Sequence, residues 1–507
     1  MLLRTLAVLG AFALTSCATL ANGQSAEATS QEAAEEEKPN ILILFFDDLR
    51  FDSFSYRGGP VPTPNIDALA AESTRFDMAI TTTGLCSPSR AALFTGRWGH
   101  RTGLDDNLGL WTSRLNDMNP EEGGFLRDAA DSGYYVGYVG KWHLGERGPQ
   151  IRGAEFAKLD AEVTAGIKPY TPYAGLEIIR GYNSGARDAG GEKHQYYQTT
   201  AGGYEDTPAA EKVHDGQELI RNAARRGEPF LGVVSFQQPH PPYRVPEPYA
   251  SMFDPAEIAL PSNFGAARKN KPLAQEYAYW PWHDVGHMTE TDWRESRAKY
   301  YGAVAMIDRA VGDLIRTAKE EGIYDDLHIV FLGDQGSMIG EHGLYDKAAY
   351  AYDELMRIPL LMRDPDAKPG VVNRHVSLID IPATLFDWMK LTPSKPIDGR
   401  SLAGVIDGSS ALTGPDDALY AFEWYNGAWF GLRAIRTPEH KYVWNPGDSR
   451  DELYDLVTDP GEVTNLISSR EHADVVRQLR GRLLDRLEAI EDPSAKKLQS
   501  FIERTYK

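Results

Sequence analysis

The sequence predicts an α/β fold: strands buried on both faces, amphipathic helices covering them, and a smaller antiparallel sheet towards the C-terminus. Three observations predict it. Continuous apolar runs, each bounded by polar turns, have the length and β-branched content of strands in a parallel sheet. Two long segments carry apolar residues at helical spacing. Two aromatic segments joined by a Pro-Gly turn have the pattern of a hairpin.

The 507 residues suffice for more than one domain, or for one large domain with an appendage. A 42% hydrophobic and 25% charged composition is that of a soluble globular chain. Lys+Arg total 53 against 73 Asp+Glu, a net charge of -20, which argues against a nucleic-acid partner. A polyanionic substrate stays compatible, because a local basic pocket can exist on an acidic protein. The two cysteines, Cys17 and Cys86, cannot supply a disulfide framework.

Taken in chain order, Met1 to Cys17 has the parts of a secretory signal: Arg4, an apolar stretch from Leu6 to Leu14 too short to span a bilayer, and Leu14-Thr15-Ser16-Cys17. It resembles the bacterial lipoprotein signal, which implies cleavage before Cys17 and lipidation of that cysteine. A plain signal peptide with an incidental cysteine is the other reading. The expectation is an exported protein of the periplasm or outer membrane that meets the membrane only through its lipid. Residues 18–38, rich in Ala, Ser and Glu, read as a flexible linker.

Asn40 to Phe46 is the first buried strand, and it ends in Asp47-Asp48. Adjacent carboxylates at the carboxyl end of such a strand fit an oxygen-ligated Ca2+ or Mg2+. They equally fit a solvated, capping turn. Further on, Pro88 can open a helix over Ala91 to Phe94. Cys86 then stands at the helix N-terminus, where the dipole favours negative charge, with Arg90 one turn in. A buried structural cysteine and a thiolate nucleophile both remain open for Cys86 on these residues alone.

Cys86-x-Pro88-x-Arg90 followed by Thr95-Gly96-Arg97 resembles the signature of the type I, formylglycine-dependent sulfatases. So do Thr63-Pro64-Asn65-Ile66-Asp67, Gly140-Lys141-Trp142-His143-Leu144-Gly145, Pro239-His240-Pro241-Pro242, Gly333-Asp334-Gln335-Gly336, Gly340 to Lys347, and Tyr454-Asp455-Leu456. The likeness runs in family order from about Pro39 to residue 466. It implies that Cys86 is oxidised to Cα-formylglycine by a maturation enzyme, and that Asp47, Asp48, Asp334, Gln335 and the modified Cys86 hold Ca2+, with Mg2+ as the alternative ion. The family pattern usually has Asn or His where this chain has Gln335. By the same resemblance Lys141 and His143 bind sulfate and the aldehyde hydrate. His240 and Lys347 hold the leaving-group side, and Arg90 steadies the hydrate. The two glycines flanking the Lys141–His143 loop independently suggest a close backbone approach.

The remaining elements read as scaffold. Leu231 to Phe236 and Ile329 to Leu332 are further buried strands. Tyr300 to Glu321 and residues 471–491 are amphipathic helices, and Asp308-Arg309 is a solvated or capping pair. Tyr442-Val443-Trp444 and Leu453 to Leu456 form the hairpin. The aromatic segments Tyr277 to Trp282 and Trp424 to Trp429 either stack on sugar or pack the domain interface.

The resemblance therefore implies an alkaline phosphatase-like α/β/α sandwich with a large mixed sheet (residues 39–395) and a smaller C-terminal α+β subdomain (396–507). The expected function is hydrolysis of sulfate esters on a sulfated carbohydrate. A phosphonate monoester or phosphodiester hydrolase is the alternative, and a non-catalytic glycan-binding lipoprotein is the third reading.

Overall fold

The computed structural model describes residues 38–108, 115–160, 178–187, 193–266, 270–276, 285–286, 288–425, 428–448 and 450–506. The signal with Cys17, the linker up to residue 37, Tyr277 to Trp282, and Asn426-Gly427 lie outside them.

The main sheet has eight strands: β1 (Asn40–Asp47), β2 (Thr74–Ile80), β3 (Tyr135–Gly140), β4 (Phe156–Leu159), β5 (Phe230–Pro239), β6 (Leu327–Gly333), β7 (Leu360–Arg363) and β8 (Gly370–Ser377). Their spatial order is β8-β2-β7-β6-β1-β5-β3-β4. Only β7 runs antiparallel to its neighbours, so the sheet is mixed.

Strand β1 shows why the apolar run is unbroken. Ile41, Ile43 and Phe45 enter one core, whereas Leu42, Leu44 and Phe46 enter the other, and all six are fully buried. Each such side chain contributes about 1.5–3 kcal/mol. The second core is closed by α3 (Pro208–Arg226) and α4 (Glu290–Glu320). The first is closed by α2 (Cys86–Thr95), α5 (Asp380–Met389), α6 (Ala473–Ala489) and α7 (Ala495–Thr505). The antiparallel sheet β9 (Ala418–Tyr425), β10 (Ala428–Arg436), β11 (His440–Trp444) and β12 (Glu452–Asp455) includes the expected hairpin, with Tyr442 opposite Leu453. A three-stranded sheet of Ile178–Arg187, Lys193–Thr200 and Tyr243–Pro246 was not expected from the sequence.

Helix α4 begins ten residues before the expected Tyr300. Thr289 and Asp292 form a capping box, with Asp292 N donating to Thr289 Oγ1 at 3.2 Å and Thr289 N to Asp292 Oδ2 at 2.8 Å. The first turns carry buried Glu295, Arg297 and Lys299, whose charge hid the helical period. Asp308 caps a neighbour: its Oδ1 accepts from the amides of Asn65 and Ile66, both at 2.9 Å, at the start of α1 (Pro64–Ala71). Asp308→Ala is therefore expected to lose about 1–2 kcal/mol in a denaturant titration. An unchanged midpoint would remove the cap from the account of stability.

Candidate active site

Four adjacent parallel strands, β6, β1, β5 and β3, end at one edge of the sheet. That edge is where open α/β sheets place ligands. β6 delivers Asp334 and Gln335, β1 Asp47 and Asp48, β5 His240, and β3 Lys141. Cys86 arrives separately, as the first residue of α2 after the loop that follows β2. Three non-glycine residues at this edge have left-handed backbones: Asp48 (φ 59°), His143 (φ 56°) and Asp346 (φ 60°). Strain of this kind is retained where the surroundings over-determine it, and it concentrates at functional sites. Gly140 (φ 89°) and Gly145 (φ 113°) flank the Lys141–His143 loop. A Cβ would lie 1.9 Å from the Ser235 carbonyl at the first and 1.8 Å from Asp117 Oδ1 at the second, so the close approach expected of them is present.

Asp47, Asp48 and Asp334 are fully buried, and each offers a carboxylate oxygen within 4.8 Å of the others'. Lys347 Nζ donates to both oxygens of Asp48, at 2.7 Å each, and Lys141 Nζ is paired with Asp47 Oδ2. Burial pushes the Asp48 carboxyl up to about 6 despite Lys347. Burial and the neighbouring Asp47 push Asp334 well above the usual range. Burial acts in the same direction on Asp47 but is outweighed by Lys141, His240, Lys347 and Arg90, so that carboxyl stays well below it.

Gln335 Nε2 donates to Asp47 Oδ1 (3.3 Å), to Asp48 Oδ1, and to Cys86 Sγ (3.4 Å). Its Oε1 is buried with no partner among the described residues. A half-turn of the amide exchanges the two atoms. It would then present four oxygen donors to one point, the set that Ca2+ or Mg2+ takes.

Arg90 is wholly buried over the Phe45 ring (4.5 Å to the centroid). Its Nε donates to Asp334 Oδ2 at 3.1 Å, and its Nη1 to the Lys141 carbonyl and to Ser235 Oγ, both at 2.9 Å. Its Nη2 has no partner among the described residues. Arg90→Met would strand the Asp334 carboxylate and is expected to cost about 3–5 kcal/mol in chemical denaturation. A loss below 1 kcal/mol would mean that the pair contributes little.

His240 Nδ1 donates to the Pro241 carbonyl (2.5 Å), which leaves Nε2 facing Asp48 Oδ2 at 3.9 Å. His143 stands further back, with Nε2 3.0 Å from the Leu108 carbonyl. Burial, then Lys141 and Arg90, hold its imidazole well below the usual range and therefore neutral. Cys86 is 1% exposed, and burial followed by the charge of Asp47 pushes its thiol up, which disfavours a thiolate nucleophile.

All ten expected residues of this edge are thus brought together. Four residues given no role from the sequence complete the arrangement. Asp346 offers an oxygen grouped with Asp48 and His240. Ser235 was visible as the one hydroxyl inside an apolar strand. Asn107 Oδ1 accepts from Ser87 N at 3.0 Å, and Tyr420 OH accepts from Gly84 N at 2.8 Å. The last two come from distant segments that no local pattern connects to Cys86.

Residues 39–391 match the family model described as sulfatase. The chain belongs to the sulfatase family. As a sulfatase it is a hydrolase of sulfuric esters. Residues 340–489 also match a model described as N-sulphoglucosamine sulphohydrolase, C-terminal. The sulfatase is 32% identical to a choline-sulfatase of Rhizobium meliloti over 85% of this chain and 82% of the relative. It is 28% identical to an ulvan-active sulfatase of Formosa agariphila over 97% and 88%. Among solved structures, the phosphonate monoester hydrolase of Agrobacterium radiobacter superposes with a TM-score of 0.70 at 24% identity, covering 89% of this chain and 96% of that one, a likeness of fold.

Proposed function

We propose that this sulfatase removes sulfate from a carbohydrate ester, through Cα-formylglycine formed at Cys86 and a divalent cation held by Asp47, Asp48, Asp334 and Gln335. One observation carries the reading. Two opposite, fully buried groups without a partner among the described residues, Arg90 Nη2 and Gln335 Oε1, belong to side chains packed around Cys86, which is itself the first residue of a helix. A hard cation satisfies the oxygen, and an anion satisfies the guanidinium.

The hydrated aldehyde supplies two geminal hydroxyls, one to attack the ester sulfur and the other to expel sulfate and restore the aldehyde. The cation supplies Lewis-acid polarisation of a sulfate oxygen. The remaining work falls to the chain itself. Lys141 and Lys347 each lie within reach of an anion at Cys86 while staying tied to Asp47 and Asp48, so they hold sulfate oxygens in a water-poor site. Neutral His143 offers the hydrate a hydrogen bond without adding charge. His240 presents Nε2 from the half-exposed rim, where the departing sugar oxygen needs a proton. A sugar substrate is supported by the N-sulphoglucosamine sulphohydrolase match and by the ulvan-active relative. Cleavage before Cys17 and its lipidation would hold the enzyme at the periplasmic or outer-membrane surface; Cys17→Ala should move it from the membrane to the soluble fraction.

The test is the mass of the peptide around Cys86, together with turnover. Maturation lowers that peptide by about 18 mass units, as replacing CH2SH by CHO requires. Active protein whose Cys86 is entirely thiol would overturn the mechanism. Faster hydrolysis of an aryl phosphate diester than of an aryl sulfate would favour the phosphonate monoester hydrolase reading instead.

A further inference from the structure

Beyond the catalytic edge, a cleft of about 1130 Å³ opens between the antiparallel sheet and α7. Its volume exceeds the roughly 300–1,000 Å³ of a site for a compact small molecule and suits an extended ligand. On a chain of net charge -20, its lining is locally basic: Arg450, Arg480, Lys496, Lys497 and Arg504 against Asp448 and Asp451. Arg480 is spoken for, since it pairs with Asp451 at 2.9 Å. Lys496, Lys497 and Arg504 are exposed along one helix, and none pairs with a carboxylate among the described residues. Lys497 rests over the half-buried Trp429 ring, 4.9 Å from its centroid. Trp444 and Phe501, with centroids 6.4 Å apart, form an apolar floor.

An aromatic ring beside unpaired cations is the chemistry that takes a sulfated sugar. The ring meets the apolar C–H face of the pyranose, and the ammonium and guanidinium groups meet the sulfates. The cleft is also linked to the catalytic edge. Trp429 lies on β10, opposite Trp424, and the same β9–β10 hairpin ends in Tyr425. Tyr425 packs in one cluster with Leu85, which precedes Cys86, and Ala349, two residues after Lys347. We infer that this cleft is an auxiliary binding site for a sulfated polysaccharide chain, holding the polymer on the enzyme while one of its esters is at Cys86. The inference rests on the sulfated-carbohydrate reading above.

The test uses the full chain carrying Cys86→Ala, so that the probe is not consumed, with dextran sulfate and unsulfated dextran of matched length in affinity electrophoresis. Dextran sulfate is expected to bind and dextran not to. K496E/K497E/R504E should weaken dextran sulfate binding at least tenfold and flatten its dependence on salt, since attraction between exposed charges is screened. Trp429→Ala, which leaves the charges in place, should weaken it by a smaller factor. With Cys86 restored, the triple variant should turn over a small aryl sulfate within twofold of the parent. Unchanged affinity in a triple variant of unchanged melting temperature, or equal binding of unsulfated dextran, would overturn the inference. Failure of the parent to cleave aryl sulfate, with the charge-dependent binding intact, would count against the catalytic reading alone.

Discussion

Replacing Cys86 by alanine is expected to lower sulfate release by about ten-thousand-fold or more, the scale seen when a nucleophile that acts in concert with its neighbours is removed. The fold should survive, because among the described residues the thiol takes part in one weak hydrogen bond, from Gln335 Nε2 at 3.4 Å, and the substitution deletes one atom from a buried site. Serine is the sharper variant. It offers one hydroxyl where the aldehyde hydrate offers two, so it can take sulfate but has no second hydroxyl to expel it. Cys86→Ser is expected to trap one sulfate per chain and then stall, which intact mass measurement would detect. Sustained turnover by either variant would rule out the proposed chemistry.

The second large effect concerns the cation. Three buried carboxylates crowd their oxygens within 4.8 Å of one another, and a divalent ion between them would relieve that repulsion. Chelation is expected to abolish turnover and lower the melting temperature, and Ca2+ or Mg2+ should restore both. At an ion concentration a hundredfold above its dissociation constant the stabilisation should be about 2.7 kcal/mol. Asp334→Asn keeps the shape and removes one charge, so it should shrink the ion-dependent rise in melting temperature; because it also breaks the Arg90 pair, it should lower the melting temperature of the chelated protein as well. If neither ion moves the melting temperature of the chelated parent, these carboxylates are not a cation site.

What could be read from the residues alone divides along physical lines. Strands such as Asn40–Asp47 and Leu327–Gly333 announced themselves because burial on both faces leaves an unbroken apolar run. The edge residues were legible mainly through the family resemblance; only Asp47, Asp48 and Asp334 also announced themselves as carboxylates at the ends of buried strands. The polar strands Ile178–Arg187 and Lys193–Thr200 carry no such run, and the buried charges of early α4 masked its period. The antiparallel sense of β7 and the partnership of Asp308 with Asn65 depend on tertiary placement, for which a single chain has no local signal. The orientation of the Gln335 amide is likewise set by its partners and not by its neighbours in sequence.

The hydrogen bond from the Gly84 amide to Tyr420 OH spans 336 residues. It joins the loop before Cys86 to a sheet made near the end of synthesis. At about 5–20 residues per second, roughly 17–70 s separate the emergence of the two. The Arg90–Asp334 pair, 244 residues apart, is delayed in the same way. During that interval Cys86 lies on an unfinished polypeptide, open to any visitor, whereas afterwards only 1% of it can be touched. The C-terminal strands therefore complete the enclosure of this cysteine, and chemistry that needs an accessible Cys86 has to come before they dock.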